Sequence, residues 1–391
     1  MQDDKLTKIN PKRLLVILSD PLTPLLEKGE VTARYYNPGD VFSEVHILLL
    51  NDDKPDASAL KYMVGEARVF IHNFNLPSKI SVKSFGWQTP LLERFLQRVL
   101  PVIQDIAPDI LRTHGLSLEL LVARMSKRRF GIPHVASIHT NPHQPAQNVS
   151  LVRRFFVSGL DRLRSQVLKE ADEVLPVYEP AVPFLQSLGV SDFQVCYNVL
   201  NPSAIKRKAD YKLNKTVKVV CVSRQFQTKD PSNLIRAVAV IENMHLTLIG
   251  DGELHEALAR LVNDLDINDR VEFIPSIENG DLCRLLSEFD FFAVHSDHWE
   301  VSKAVLEALL SGLPVIINKL PDYQIPELSE ELCVLVENSE EGYLGALKKL
   351  IGDDVKREEL GRNAARVAWE RWDPQKSEAA YQDIYKDLLG G

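Results

Sequence analysis

Two acids, Glu300 and Glu307, stand in SDHWEVSKAVLEALLSGLPVII (296–317), and between Ala304 and Leu310 Glu307 is alone among alanine, valine and leucine. A carboxylate in such apolar company is costly to bury without a partner. Ser302 can cap a helix that runs to about Ser311, with Gly312 and Pro314 ending it. Lys303 then lies one turn before Glu307 on the same face. Two readings follow: an ordinary surface ion pair, or a buried acid that accepts hydrogen bonds from a ribose diol. Upstream, RQFQTKDPS carries Arg224 and Lys229 beside Asp230 and Pro231, which are set to start a helix. Two cations at a helix start suit a diphosphate; the same pair also reads as exposed surface charge. Gly250-Asp251-Gly252 permits a tight turn or a close backbone approach, and the Ser276–Asn279 loop, with Ile277, is placed to touch a base through its backbone. His139 in SIHTNPHQP and His114 in RTHG each end a strand-like run, as candidate sugar-side residues or as hydrogen-bonded structural histidines. Lys28 and Gly29 lie in the loop after the first such run.

These residues need a scaffold that gathers strand ends. Short apolar runs alternate with helical patterns along the whole chain, which predicts parallel sheets covered by helices. The runs are 14–20, 44–50, 67–73, 109–115, 134–140 and 172–178, then 217–223, 246–252, 271–276, 289–296, 313–319 and 332–338. The polar segment Asn198–Thr216 separates two complete series, so the expected domains are 1–198 and 199–374. WERWDPQKSEAAYQDIYKDLL reads as two helices broken at Pro374. Tandem doubly wound sheets bind ligands in the crevice outside the carboxyl ends of their strands. Nearly every candidate above follows a strand.

Length and composition agree with this plan. With 391 residues the chain exceeds one ordinary core, and its 45% apolar and 26% charged content is that of a globular protein. No run approaches the roughly 18 apolar residues of a membrane span, and the start lacks a signal-peptide pattern, so the cytosol is the expected compartment. The four cysteines show no metal-ligand spacing and read as small core residues. Of a net charge of −8, the first 198 residues contribute 23 basic against 21 acidic side chains, so the negative excess belongs to the rest. Arg112–Arg164 holds nine basic residues and two acids, either a solvated helix surface or a basic face that attracts anionic lipid, at the inner membrane face, or an anionic substrate. No nucleic-acid partner is expected.

The order of the motifs resembles a family. Arg224 and Lys229 match the GR-L-x-x-x-K loop of retaining glycosyltransferases of the GT-B fold, in particular glycosyltransferase family four. VEFIPSIENGDLCRLLSEFDFFAVHS and VLEALLSGLPVI are similar to that family's donor-site core, and Asn198 stands where the family has an asparagine before its second domain. The resemblance implies two Rossmann-like domains facing across a cleft, with the C-terminal helix at about 375–391 packing back on the first domain. It implies a nucleotide-diphosphate sugar (UDP- or GDP-type) as co-substrate, no metal, and transfer to a glycan, glycolipid or small-molecule hydroxyl, in cell-envelope or polysaccharide biosynthesis. Arg224 and Lys229 would neutralise the diphosphate, Glu307 would hold the ribose with Ser302 and Lys303 beside it, and Ile277 and Gly250 would meet the nucleotide. His139 would lie near the transferred sugar, with Lys28, Gly29 and His114 on the acceptor side. One departure is clear: the family spaces its two glutamates by seven residues, whereas six separate Glu300 from Glu307, and Trp299 occupies the first glutamate's place. Either Glu300 turns into the sugar pocket, or Asp297 or His298 serves the hydroxyls with Trp299 stacked on the ring; Glu300 is preferred. A nucleotide-sugar epimerase, or a donor-binding protein without catalysis, would use the same pocket.

Overall fold

A computed structural model describes residues 11–27, 29, 31–74, 89–139, 151–198, 200–201 and 203–390, with the side chains of 89–93 and 151–159 left out. The apolar runs form twelve strands among these residues. The first sheet comprises β1 (Arg13–Leu18), β2 (Glu44–Leu49), β3 (Arg68–Asn73), β4 (Ile110–His114), β5 (His134–Ile138) and β6 (Glu173–Pro176). The second comprises β7 (Val217–Val222), β8 (Met244–Ile249), β9 (Val271–Ile274), β10 (Phe291–Val294), β11 (Val315–Asn318) and β12 (Cys333–Val336). Each expected run holds one of them, with bounds shifted by a few residues.

All the strand pairings are parallel, in register such as Leu14↔Val45 and Leu14↔Ile110. The spatial orders are β3-β2-β1-β4-β5-β6 and β12-β11-β10-β7-β8-β9. Counted within each domain these are the same doubly wound order, which reverses between β1 and β4 and between β7 and β10. Helices cover both faces, which is why central strands such as β2 and β10 are buried at every position. Pro176, which cannot donate to a ladder, sits on β6 at the sheet edge. All four cysteines are buried and unpaired.

The chain crosses back at its end. Asp373 caps a helix from Pro374 to Leu388, its carboxylate accepting from Gln375 N at 2.9 Å. Tyr381, Ile384 and Tyr385 of that helix share a core with Val16 and Val45 of the first sheet and with Phe42 just before β2. Arg112 explains the geometry: its guanidinium donates to Tyr385 Oη (3.0 Å) and Ser137 Oγ (3.0 Å) and lies 4.6 Å from the Tyr381 ring centroid.

Arg112 therefore corrects the basic-face expectation, since it is only 1% exposed and belongs to the core. Arg124 and Arg128 both pair with Glu170, Lys127 pairs with Asp172 at 2.5 Å, and Arg164 pairs with Asp161 at 3.0 Å. Glu170 and Asp172 lie just beyond Arg164 in the chain, so much of the basic excess of Arg112–Arg164 is neutralised locally. Arg153 and Arg154 have side chains outside the described residues. Among the described residues, no helix is long and apolar enough to cross a membrane.

Candidate active site

The two reversal points face each other across a cleft of about 500 Å³, lined from both sheets. Side chains reach it from the loops after β1, β4 and β5 on one wall and after β7 to β10 on the other.

On the second wall, β7 ends in a loop that brings Arg224 and Lys229 to the cleft. The following helix runs from Ser232 to Ala239, one residue later than expected, and Asp230 accepts from Ser232 N at 2.9 Å and Ser232 Oγ at 2.6 Å. That carboxylate occupies the helix start, so the two cations, rather than free amides, are the anion-attracting part of the loop. Lys229 Nζ lies 3.1 Å from Glu300 Oε1, and both line the cleft. Of the candidates for the displaced first glutamate, Glu300 is the one in the lining; Asp297 and His298 are outside it. Trp299 is also outside it: its ring stacks on Tyr323 with centroids 4.3 Å apart. Tyr323 thus takes one face of the ring, and the Trp299 side chain is not among those that line the cleft.

Glu307 sits on the helix Lys303–Ser311, which Ser302 caps by accepting from Val305 N (3.3 Å) and Gly312 ends at φ 75°. The carboxyl is 1% exposed. Asn279 Nδ2 donates to its Oε1 at 2.9 Å, and Lys303 Nζ lies 3.9 Å away. Burial raises its pKa, partly offset by Lys303 and these hydrogen bonds. Lys303 also reaches Thr32 of the first domain at 2.5 Å, and Asn279 N donates to Gly29 O at 3.1 Å. The loop after β1 therefore closes over the end of the cleft where Ile277 and Glu307 lie. At Gly29, φ is +64° and a Cβ would come within 3.0 Å of Glu278 Cα, so a side chain there would push the walls apart.

Gly250 lines the cleft, but its glycine identity has another cause: at φ +129° a Cβ would collide with the Ser223 carbonyl oxygen. Gln225 ties the same two loops, donating to Gly250 O at 2.6 Å. The close approach that requires glycine here is between the backbones of the two loops.

On the first wall, His114 and His139 stack with centroids 4.7 Å apart and planes at 13°. Burial, reinforced by the Arg112 charge, pushes His139 down to about 3 and His114 well below the ordinary imidazole range. Tyr178 Oη donates to His139 O at 2.8 Å, fixing the β5 end. Lys28 lies outside the described residues. Sequence reasoning missed Asp20, Tyr35, Tyr36 and Asn279, which all line the cleft. The adjacent tyrosines of TARYYNPGD were the available signal; Asn279 was named only as the end of a loop.

Two family models match the chain, the glycosyl transferase 4-like domain over 40–198 and glycosyl transferases group 1 over 204–367. The lipopolysaccharide core biosynthesis glycosyltransferase LpsD of Rhizobium meliloti is 31% identical over 44% of this chain and 48% of its own length. The chain spans about half the length of the first curated relatives it matches. A longer match, 26% identical over 89% of this chain and 92% of the relative, is to N-acetylgalactosamine-N,N'-diacetylbacillosaminyl-diphospho-undecaprenol 4-alpha-N-acetylgalactosaminyltransferase of Campylobacter jejuni. Among solved structures, sucrose-phosphate synthase of Thermosynechococcus elongatus superposes with TM-score 0.71 at 15% identity, over 97% of this chain and 99% of that one. HepE of Anabaena in complex with UDP and glucose gives 0.70 at 17% identity, over 96% and 99%. With two doubly wound domains, a cleft lined from both reversal points and these matches across both halves, the chain belongs to the group 1 glycosyltransferases of the GT-B fold.

Proposed function

We propose that the chain transfers a glycosyl unit from a nucleotide-diphosphate sugar to a hydroxyl acceptor, with retention of anomeric configuration and without a resident metal, in glycolipid or polysaccharide assembly. The observation that carries the reading is the placement of Arg224, Lys229, Glu300 and Glu307 along one wall of a single cleft, opposite His139. Arg224 and Lys229 stabilise the charge that develops on the departing diphosphate, a role in which fixed cations act without reorganisation. Glu307, held by Asn279, accepts from the ribose hydroxyls, and Glu300, beside Lys229, faces the sugar. The bond from the anomeric carbon to the diphosphate oxygen breaks as the bond to the acceptor oxygen forms on the same face. The acceptor's proton leaves with the diphosphate oxygen. HepE's complex with UDP and glucose and the lipid-linked and lipopolysaccharide names of the relatives support this class of donor and acceptor.

The test is a panel of UDP- and GDP-sugars scored by thermal stabilisation, where a ligand at a hundred times its Kd contributes about 2.7 kcal/mol, followed by transfer to hydroxyl acceptors. No stabilisation by any nucleotide would sink the reading. A second reading, epimerisation, draws on His295, which is buried in the cleft lining and lies 3.3 Å from Asp297 Oδ1. It predicts an isomerised sugar in the absence of acceptor.

A further inference from the structure

The loop between β11 and β12 carries another buried acid, Glu327, which does not line the cleft. Ile325 and Leu328 sink into the second-domain core on either side of it, so the turn that bears it is fixed. Glu327 is 2% exposed, and its partners lie outside its own domain. Its Oε1 accepts from the Glu179 amide at 2.7 Å and from Tyr197 Oη at 3.2 Å. The first has the length of a charge-assisted bond. Oε2 is buried without a hydrogen-bond partner. Burial raises the carboxyl's pKa, offset in part by the bonds from Glu179 and Tyr197. A carboxyl with one oxygen unsatisfied is costlier here than an apolar side chain, so packing does not account for it.

What Glu327 holds does account for it. Glu179 follows Tyr178 at the end of β6, and Tyr178 Oη donates to the His139 carbonyl at 2.8 Å. Val177 N donates to Ile138 O at 3.2 Å, which ties the same two strand ends. Tyr197 packs against the cores of both domains and precedes Asn198, a residue of the cleft lining. One carboxyl oxygen of the second domain therefore grips both the strand end beside His139 and the ring at the domain joint.

We propose that Glu327 is a positioning residue, which clasps the second domain to the Tyr178–Glu179 segment and so sets His139 against the wall of Arg224, Lys229 and Glu300. The inference rests on the glycosyltransferase reading for the role of His139, and adds to it the residue that holds the two walls in register.

Hydrogen exchange on the full chain tests the clasp without any substrate. In Glu327→Ala the Glu179 amide should exchange about tenfold faster than in the wild type, the effect of its lost acceptor. Glu327→Gln, which keeps the accepting oxygen, should retain the protection. With the UDP- or GDP-sugar that best stabilises the wild type as donor, Glu327→Ala should lower kcat about tenfold, since a misplacement of about 1 Å can cost about 100-fold. Donor KM should stay within about twofold, and Glu327→Gln should recover the wild-type rate. A cooperative thermal transition reports that each variant is folded, and Glu327→Asp, one methylene short of Glu179, replaces Glu327→Ala if the latter is not. Unchanged Glu179 exchange in Glu327→Ala would overturn the clasp. Faster exchange with unchanged kcat, a loss confined to donor KM, or no recovery in Glu327→Gln would overturn the positioning role. Stabilisation of the wild type by no nucleotide sugar would instead strike the glycosyltransferase reading, while the exchange result still judges the clasp.

Discussion

Glu307 is a carboxyl that the helix Lys303–Ser311 buries almost completely, and its neighbours decide what that costs. Asn279 at 2.9 Å and Lys303 at 3.9 Å compensate only in part, since burial still raises its pKa. A raised folded-state pKa means the contribution to stability is full below the unfolded value of about 4.5 and is lost as pH rises through the folded value. Glu307→Gln, which cannot ionise, should therefore gain Tm relative to the wild type as pH rises above about 4.5 while losing donor affinity; a pH-independent difference in Tm would contradict this. Arg224→Ala and Lys229→Ala should each lower kcat about 100-fold, the scale of one lost charge-stabilising group. The urea midpoint of Arg224→Ala should barely move, because Arg224 is exposed and exposed substitutions usually stay within about 0.5 kcal/mol. The two acids also show what spacing can and cannot reveal. An acid amid alanines and leucines announces itself, whereas Trp299's stacking on Tyr323 depends on a partner from another loop.

At the scale of elements, the strands were legible because parallel strands buried on both faces are continuous apolar runs, as EVHILLL and FDFFAVHS show. The helix after β10 was equally legible, from Ser302 at its start to Gly312 at its end. Ser302→Ala should cost about 1 kcal/mol in urea unfolding and impair turnover as well, since the cap fixes the helix that carries Glu307. Gly250→Ala should cost more, because it adds a Cβ at φ +129° against the Ser223 carbonyl. Full activity and stability in Gly250→Ala would refute the backbone-contact account of this turn. What the patterns did not reveal was pairing between elements. Glu170 and Asp172 neutralise arginines and a lysine that had looked like a basic face, and the rings of Tyr35, Tyr36, His114 and His139 meet only once β1, β4 and β5 lie side by side.

For the whole molecule, the buried histidines make acid the weak side. His134 and His139 are pushed down to about 3 and His46 to about 4, chiefly by burial. Each contributes stability that is present above the unfolded value of about 6.5 and is lost as pH falls, because the unfolded chain takes up the proton first. The slope is about 1.4 kcal/mol per histidine per pH unit. Imidazole NMR shifts of His134 and His139 should stay at their neutral-form values from pH 7.5 to 5; titration of either in that window would show that its burial is breached.

The helix Pro374–Leu388 has a consequence for biosynthesis. Arg112 waits for a tyrosine hydroxyl 273 residues further along the chain. At roughly 5–20 residues per second, the ribosome needs about 15–55 s to deliver it. Throughout that interval the guanidinium has Ser137 and the Tyr35 carbonyl but lacks its Tyr385 partner, and the apolar edge that Tyr381, Ile384 and Tyr385 will cover stays open. The second domain's core is complete in the chain at Trp372, before the last helix that the first domain's core needs has been made.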